Sequence, residues 1–375
     1  MRRIYRPTRR SFLQQSSAFA ALALAGCATQ RTDRILQASD FGDLRVVNWE
    51  LYLDLELLPE IERFVGATID YQETYQDNQF GWEEIIQPAL AGDGDPGFDI
   101  IMPTNWLAAR MVADGLVEPI PLEVVPNHVN IDPAYLVNDW DRGSRFQMPW
   151  QAGITGIAYD PNRAGRALTS IGDLFDPALD GRVALIVEMR ETVGFGMLLN
   201  GDDPSRPTPE SAFAGLERIE AAVADGKVAA FVANEFIDGL SDGTYIASMA
   251  WSGDAVLAQQ EGSSIEFVIP DEGAISWFDT MVIPKGSPSV GSAGRWMNWM
   301  YDPANAALVT SYVQYISPVR GVQDNLRALG GDSASLADSP ILFPDAETRD
   351  RLFTWGTLSS EVEDELDQRF NALLG

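Results

Sequence analysis

Two hydrophobic rhythms alternate along the chain. Short apolar or alternating runs, such as "LRVVNWELYL" from Leu44, "ATIDYQETY", "GFDIIMP", "GITGIAYD" and "GRVALIVEM", carry the period of a strand. Between them lie stretches with apolar residues three and four apart: "LPEIERFVG", "FGWEEIIQPALAGDG", "NWLAARMVADG" and "RETVGFGMLLNG". The same alternation continues with "SAFAGLERIEAAVADGK", read as an amphipathic helix with a Ser cap. The strands "VAAFVA" and "TYIASMAW", the helix "GDAVLAQQEG" and the strands "IEFVIP" and "ISWFDTMVIP" follow. After Lys285 the pattern is helical to the end. Strand–helix alternation of this kind predicts α/β layers with mostly parallel sheets. With 375 residues, 46% of them hydrophobic, there is enough apolar material for two ordinary domains.

The residues that break this pattern are not scattered. Trp49, Glu50 and Tyr52 close the first strand, and Thr104, Asn105 and Trp106 follow "DIIMP". Glu188 and Glu191 lie where "VALIV" hands over to a helix; Trp251, Ser252 and Asp254 lie where "YIASMA" does so. The carboxyl edge of an open α/β sheet is where ligands bind. In "GAISWFDTMVIP", Trp277 and Asp279 are two apart, so a strand puts them on one face. An indole beside a carboxylate suits an organic cation: the ring face attracts positive charge and the carboxylate neutralises it.

Charge and the N-terminus narrow the class. The formal net charge is −29, with Lys227 and Lys285 the only lysines. So acidic a body repels nucleic acid and draws in cations; no nucleic-acid partner is expected. "RRSFLQ" (9–14) is a twin-arginine pattern before the apolar run "AFAALALAG", which is too short to span a bilayer and reads as a signal peptide over 1–26. It ends in "LAGC", which resembles a bacterial lipobox whose cysteine becomes the lipidated first residue. Cleavage there removes five arginines and no acid, taking the formal charge from −29 to −34. Cys27 is the only cysteine, so an internal disulfide is excluded. A lipid on Cys27 and a polar tether over 27–41 leave the body outside the cytoplasmic membrane.

Taken together, "NWELY" (48–52), "YDPNRAG", "AWSGDA", "ISWFDTMVIP" and "LFPDAET" (342–348) resemble, in order and spacing, the spermidine/putrescine-binding family of bacterial ABC importers. The similarity runs from about Leu44 to the C-terminus. It implies a two-lobed periplasmic-binding-protein fold of type II with the ligand in the interlobe cleft. Carried over, the first lobe holds 42–152 and 280–317, and the second 155–276 and 320–375. Crossovers fall near "QAGIT", "SWFDT" and "SPVRG". The resemblance also implies a polyamine ligand, an ABC permease in the membrane as partner, a monomer and no cofactor. It places Trp49 and Tyr52 on the first-lobe wall with Glu50 beside them and Trp106 opposite. Thr104 joins the site at the same strand end. Glu188 and Glu191 meet one end of the ligand, Trp251 and Trp277 line the second-lobe wall, Asp279 pairs an inner ammonium, and Tyr315 adds a hydroxyl. Four positions depart from the family: Glu188 where it has Asp, Trp106 for Tyr, Ala233 for Ser, and Gly356, next to Trp355, for Gln.

The chemistry of such a ligand asks for these residue types. Desolvating each ammonium costs several kcal/mol unless it is paired, so carboxylates must be spaced along a slot. Aromatic walls between them hold methylenes by apolar contact and ammoniums by about 0.5–2 kcal/mol each. An enzyme is disfavoured: His128, the only histidine, sits in the loop-like "PNHVN", and no Gly-x-Ser-x-Gly, Walker or His/Cys cluster is present. "GDGDPG" (92–97) lacks the spacing of a calcium loop and reads as a turn. A receptor for another organic cation or an amino acid, and a sensor subunit, remain as alternatives.

Overall fold

A computed structural model describes residues 35–374 apart from 76 and 93. The signal peptide, Cys27 and the first part of the tether lie outside the described residues. Ten strands form one connected sheet: β1 (Leu44–Trp49), β2 (Ile69–Tyr75), β3 (Ile100–Ile101), β4 (Gln147–Tyr159), β5 (Val183–Ile186), β6 (Ala230–Val232), β7 (Ala247–Trp251), β8 (Glu266–Val268), β9 (Ala274–Val282) and β10 (Leu352–Phe353). Their order is β2-β1-β3-β9-β4-β7-β5-β6, with β10 beside β9 and β8 beside β4. At the two ends the strands are parallel, β2-β1-β3 on one side and β7-β5-β6 on the other. Helices cover both faces there, which is why β5 reads as an unbroken apolar run and is buried throughout.

The middle of the sheet joins two separate cores. One gathers Val46, Ile100, Met281, Trp296 and Trp299. The other gathers Ile157, Val183, Leu185, Phe195 and Ile275. Among the described residues only β4 and β9 run from one to the other, antiparallel, from Gln147↔Val282 to Thr155↔Ile275. Their pairing is interrupted between Pro149 and Ala152. At that break Ala152 exchanges both backbone hydrogen bonds, 2.8 and 2.9 Å, with Ile316 instead. Three segments therefore meet at the waist: β4, β9 and the stretch around Ile316.

Several details differ from the sequence reading, among them β10, a strand in the stretch after Lys285 that reads as helical. The chain does not return to the second core at 320: Val322, Leu326, Leu336 and Leu342 are buried in the first core. The return comes later, when β10 pairs with Ala274–Ile275 and the helix Ser360–Leu374 packs on Met189–Asn200 and Pro209–Ala224. The apolar 3–4 spacing of Val322, Leu326 and Leu329 says "helix" but not which core receives it. The amphipathic helix is Pro209–Ala224, and its cap is Thr208, whose hydroxyl accepts from the Ser211 N–H. Ser211 supplies the reciprocal half of that capping box rather than the cap itself.

Candidate functional site

The site lies where β1, β3, β7 and the waist strands end. Asp279, on β9, is 2% exposed. Its two oxygens accept from the Tyr52 hydroxyl at 2.9 Å and the Thr104 hydroxyl at 2.8 Å. Two residues earlier on the same strand, Trp277 turns its ring to the same side, 5.6 Å from that of Tyr315. Tyr315 in turn lies edge-on to Tyr52 at 5.5 Å. Trp277 fits because β4 carries glycine opposite: a Cβ on Gly153 would stand 2.3 Å from the indole.

Three more carboxyls converge on these rings. Glu191 accepts from the Trp251 indole N–H at 2.9 Å and from the Thr155 hydroxyl, which itself accepts from the Trp277 N–H at 3.0 Å. Glu188 crosses to the first lobe and accepts from the Asn78 amide at 3.1 Å. Asp254 accepts from the Tyr315 hydroxyl, and from Asn234 at 3.3 Å. Burial disfavours the charged form of each. It pushes Asp279, Glu188 and Asp254 up to about 7, helped at Glu188 by the charge of Asp77. Glu191 is pushed up to about 8 by burial first and then by Glu188. Among the described residues no Arg or Lys forms an ion pair with any of the four.

The remaining expected residues divide. Trp49 is at the site's edge; its N–H is spent on the Met102 carbonyl at 2.7 Å and its ring leans on Tyr75. Trp106 has its ring face covered by the guanidinium of Arg190 at 3.5 Å, and Arg190 is held by Glu363 and Asp367. In this arrangement that face is closed to a ligand cation. Glu50 is exposed and its electrostatic neighbour is Glu73, outside the cluster. Asp254 and Asn78 were not among the assigned ligand residues. Asp254 was visible at a strand end; Asn78 sits in "DNQF" with no pattern to mark it. Between the lobes, Thr104, Trp106, Glu188, Arg190, Glu191 and Trp277 help to enclose a space of about 20 Å3, room for roughly one water. The lobes meet directly beside this space through the Asn78–Glu188 hydrogen bond.

Two cores bridged by waist strands, with a buried site between them, define a solute-binding protein of the two-lobed type II fold. The family model of the bacterial extracellular solute-binding proteins matches residues 68–344, and the chain belongs to that family. Relatives within it include the spermidine/putrescine-binding periplasmic protein of Escherichia coli, 28% identical over 316 residues, covering 83% of this chain and 86% of that one. The putrescine/cadaverine-binding protein of Pseudomonas aeruginosa is 26% identical over 331 residues, covering 84% and 89%. The fold matches that of the spermidine/putrescine ABC transporter substrate-binding protein PotD from Streptococcus pneumoniae with a TM-score of 0.73, covering 88% of this chain and 98% of that one at 24% identity.

Proposed function

We propose that this chain is the extracytoplasmic receptor of an ABC importer and that its cleft captures a linear polyamine, spermidine or putrescine. The observation that carries the reading is the set of four carboxyls, Glu191 and Asp279 buried and Glu188 and Asp254 half-buried, which accept hydrogen bonds only from neutral donors among aromatic rings. A fold that gathers so much potential negative charge with no ion pair to any of it, Arg190 acting on Glu188 only at a distance, is completed by a ligand that brings cations. The relatives named for spermidine, putrescine and cadaverine support the same class.

A thermal-shift series with putrescine, spermidine, spermine, glycine betaine and arginine tests it. A ligand at a hundred times its Kd stabilises by about 2.7 kcal/mol. A raised melting point with one or more polyamines and none with betaine or arginine is expected; a rise with betaine or arginine alone overturns the polyamine reading. We also read Cys27 as the lipid anchor of a protein exported by the twin-arginine route, on the strength of "RRSFLQ" and "LAGC". Cys27→Ser is then expected to leave the membrane fraction; a variant that stays membrane-bound like its parent removes that assignment.

A further inference from the structure

Asn78 lies in the first lobe, 1% exposed, on the short helical turn that follows β2. Its side chain can donate twice and accept twice, and all four are used. The amide nitrogen donates to Thr104 Oγ1 at 2.9 Å and to Glu188 Oε1 at 3.1 Å. The amide oxygen accepts from the Thr104 N–H and the Tyr75 hydroxyl, both at 3.1 Å. Reversing the amide would set its NH2 against the Thr104 N–H, so the network fixes its orientation. Tyr75 reaches this position because residue 81 is glycine; a Cβ there would stand 2.3 Å from the ring. From Gly81 the backbone runs on as a π-helical turn to Ile86, a form found frequently at functional sites.

The hydrogen bonds have a direction. Thr104 has one hydroxyl proton. Because its oxygen accepts from Asn78, that proton is turned to Asp279 Oδ1 at 2.8 Å. One amide in the first lobe therefore aims two carboxyls: Glu188 of the second lobe directly, and Asp279 of the waist through Thr104. Resting on the polyamine reading above, we propose that Asn78 is the positioning residue that fixes the separation of Glu188 and Asp279, and through it the spacing of ammonium groups the cleft prefers. It need not touch the ligand. Without its side chain Glu188 keeps only the longer bond from the Asn78 backbone N–H at 3.4 Å, and the Thr104 hydroxyl is free to turn from Asp279, which then keeps only Tyr52, so both carboxyls are held less firmly in place as the ligand arrives.

The test is a chain-length series rather than a single affinity. Calorimetric titration with 1,3-diaminopropane, putrescine, cadaverine and 1,6-diaminohexane gives a profile for the parent and for Asn78→Ala. In the parent the best diamine is expected to exceed one a methylene longer or shorter by tenfold or more, the discrimination a shaped site achieves per methylene. In Asn78→Ala that ratio is expected to fall below threefold. A merely structural role lowers every affinity alike and keeps the ratio, and that result overturns the proposal; so does a parent without a length preference. If Asn78→Ala does not melt cooperatively, Asn78→Ser, which cannot span both partners, is read in the same way. A parent that binds none of the four diamines, spermidine or spermine removes the polyamine reading and this inference with it. A parent that binds them with an unaltered profile in the variant removes the inference alone.

Discussion

Two sets of carboxyls lie around the cleft, and the protein treats them in two ways. Glu363 and Asp367, on the C-terminal helix, surround the guanidinium of Arg190, which is 6% exposed and sits over the Trp106 ring at 3.5 Å. Glu188, Glu191, Asp254 and Asp279 are as deeply placed but receive only hydroxyl, amide and indole hydrogens. Both groups have tryptophan close by. In the first the ring holds the protein's own cation; in the second Trp251 and Trp277 offer N–H edges to the Glu191–Thr155 pair. Where negative charge serves the fold, the chain supplies the counter-charge. Where it does not, the counter-charge has to arrive with the ligand.

The largest test of that contrast is a pair of substitutions with opposite signatures. Asp279→Asn keeps size and deletes charge. Truncating one partner of a buried hydrogen-bonded charge pair costs about 2–5 kcal/mol, so polyamine affinity is expected to fall at least tenfold. Without ligand the variant should melt no lower than the parent, because a buried carboxyl short of a cation has been replaced by a neutral amide. Arg190→Gln is expected to do the reverse to stability. It strands Glu363 and Asp367 together and lowers the stability of the free protein by about 3 kcal/mol, the low end for breaking a buried pair because both acids keep some contact with water. Melting curves and calorimetric titration of both variants check this. An Asp279→Asn protein that binds polyamine within threefold of its parent, or an Arg190→Gln protein of undiminished stability, breaks the contrast.

How much of this was legible in the sequence depends on how local each signal is. Trp277 and Asp279 share a face because a strand has period 2, and that needs no tertiary information. The gathering of strand-end residues from both halves followed from α/β topology, and the edge rule placed Tyr52, Thr104, Glu188, Glu191 and Trp251. What failed was position beyond the strand end. Glu50 is next to Trp49 in sequence, yet the turn carries it out to Glu73. Trp106 reached the cleft rim, but Arg190 covers it, and only the docking of the C-terminal helix creates that pairing. The assignment of 320–342 failed for the same reason, since helical period says nothing about which core receives the face. Asn78 was invisible because its hub joins three residues, of which Thr104 and Glu188 are 26 and 110 positions away, and no spacing rule encodes that.

The smallest expected effect is the dependence on pH, and its sign is opposite with and without ligand. Burial holds Glu188, Asp254 and Asp279 up to about 7 and Glu191 up to about 8, whereas carboxyls in an unfolded chain titrate near 4. From about pH 4 to 8 the folded, ligand-free protein therefore binds more protons than the unfolded chain, and its stability falls as pH rises through that window. A polyamine needs the carboxyls ionised, and its own amines stay protonated there, as alkyl ammoniums do. Affinity is then expected to climb from pH 6 to pH 8, with protons released on binding near pH 7. One pKa unit is about 1.4 kcal/mol, so a single carboxyl that must ionise at pH 6 costs roughly tenfold in affinity. Titrations at pH 6, 7 and 8 in buffers of different ionisation enthalpy report both affinity and protons released. Affinity that is flat across this range with no proton release would show that the cleft carboxyls are already ionised without ligand, and would remove the distinction between the two sets of acids.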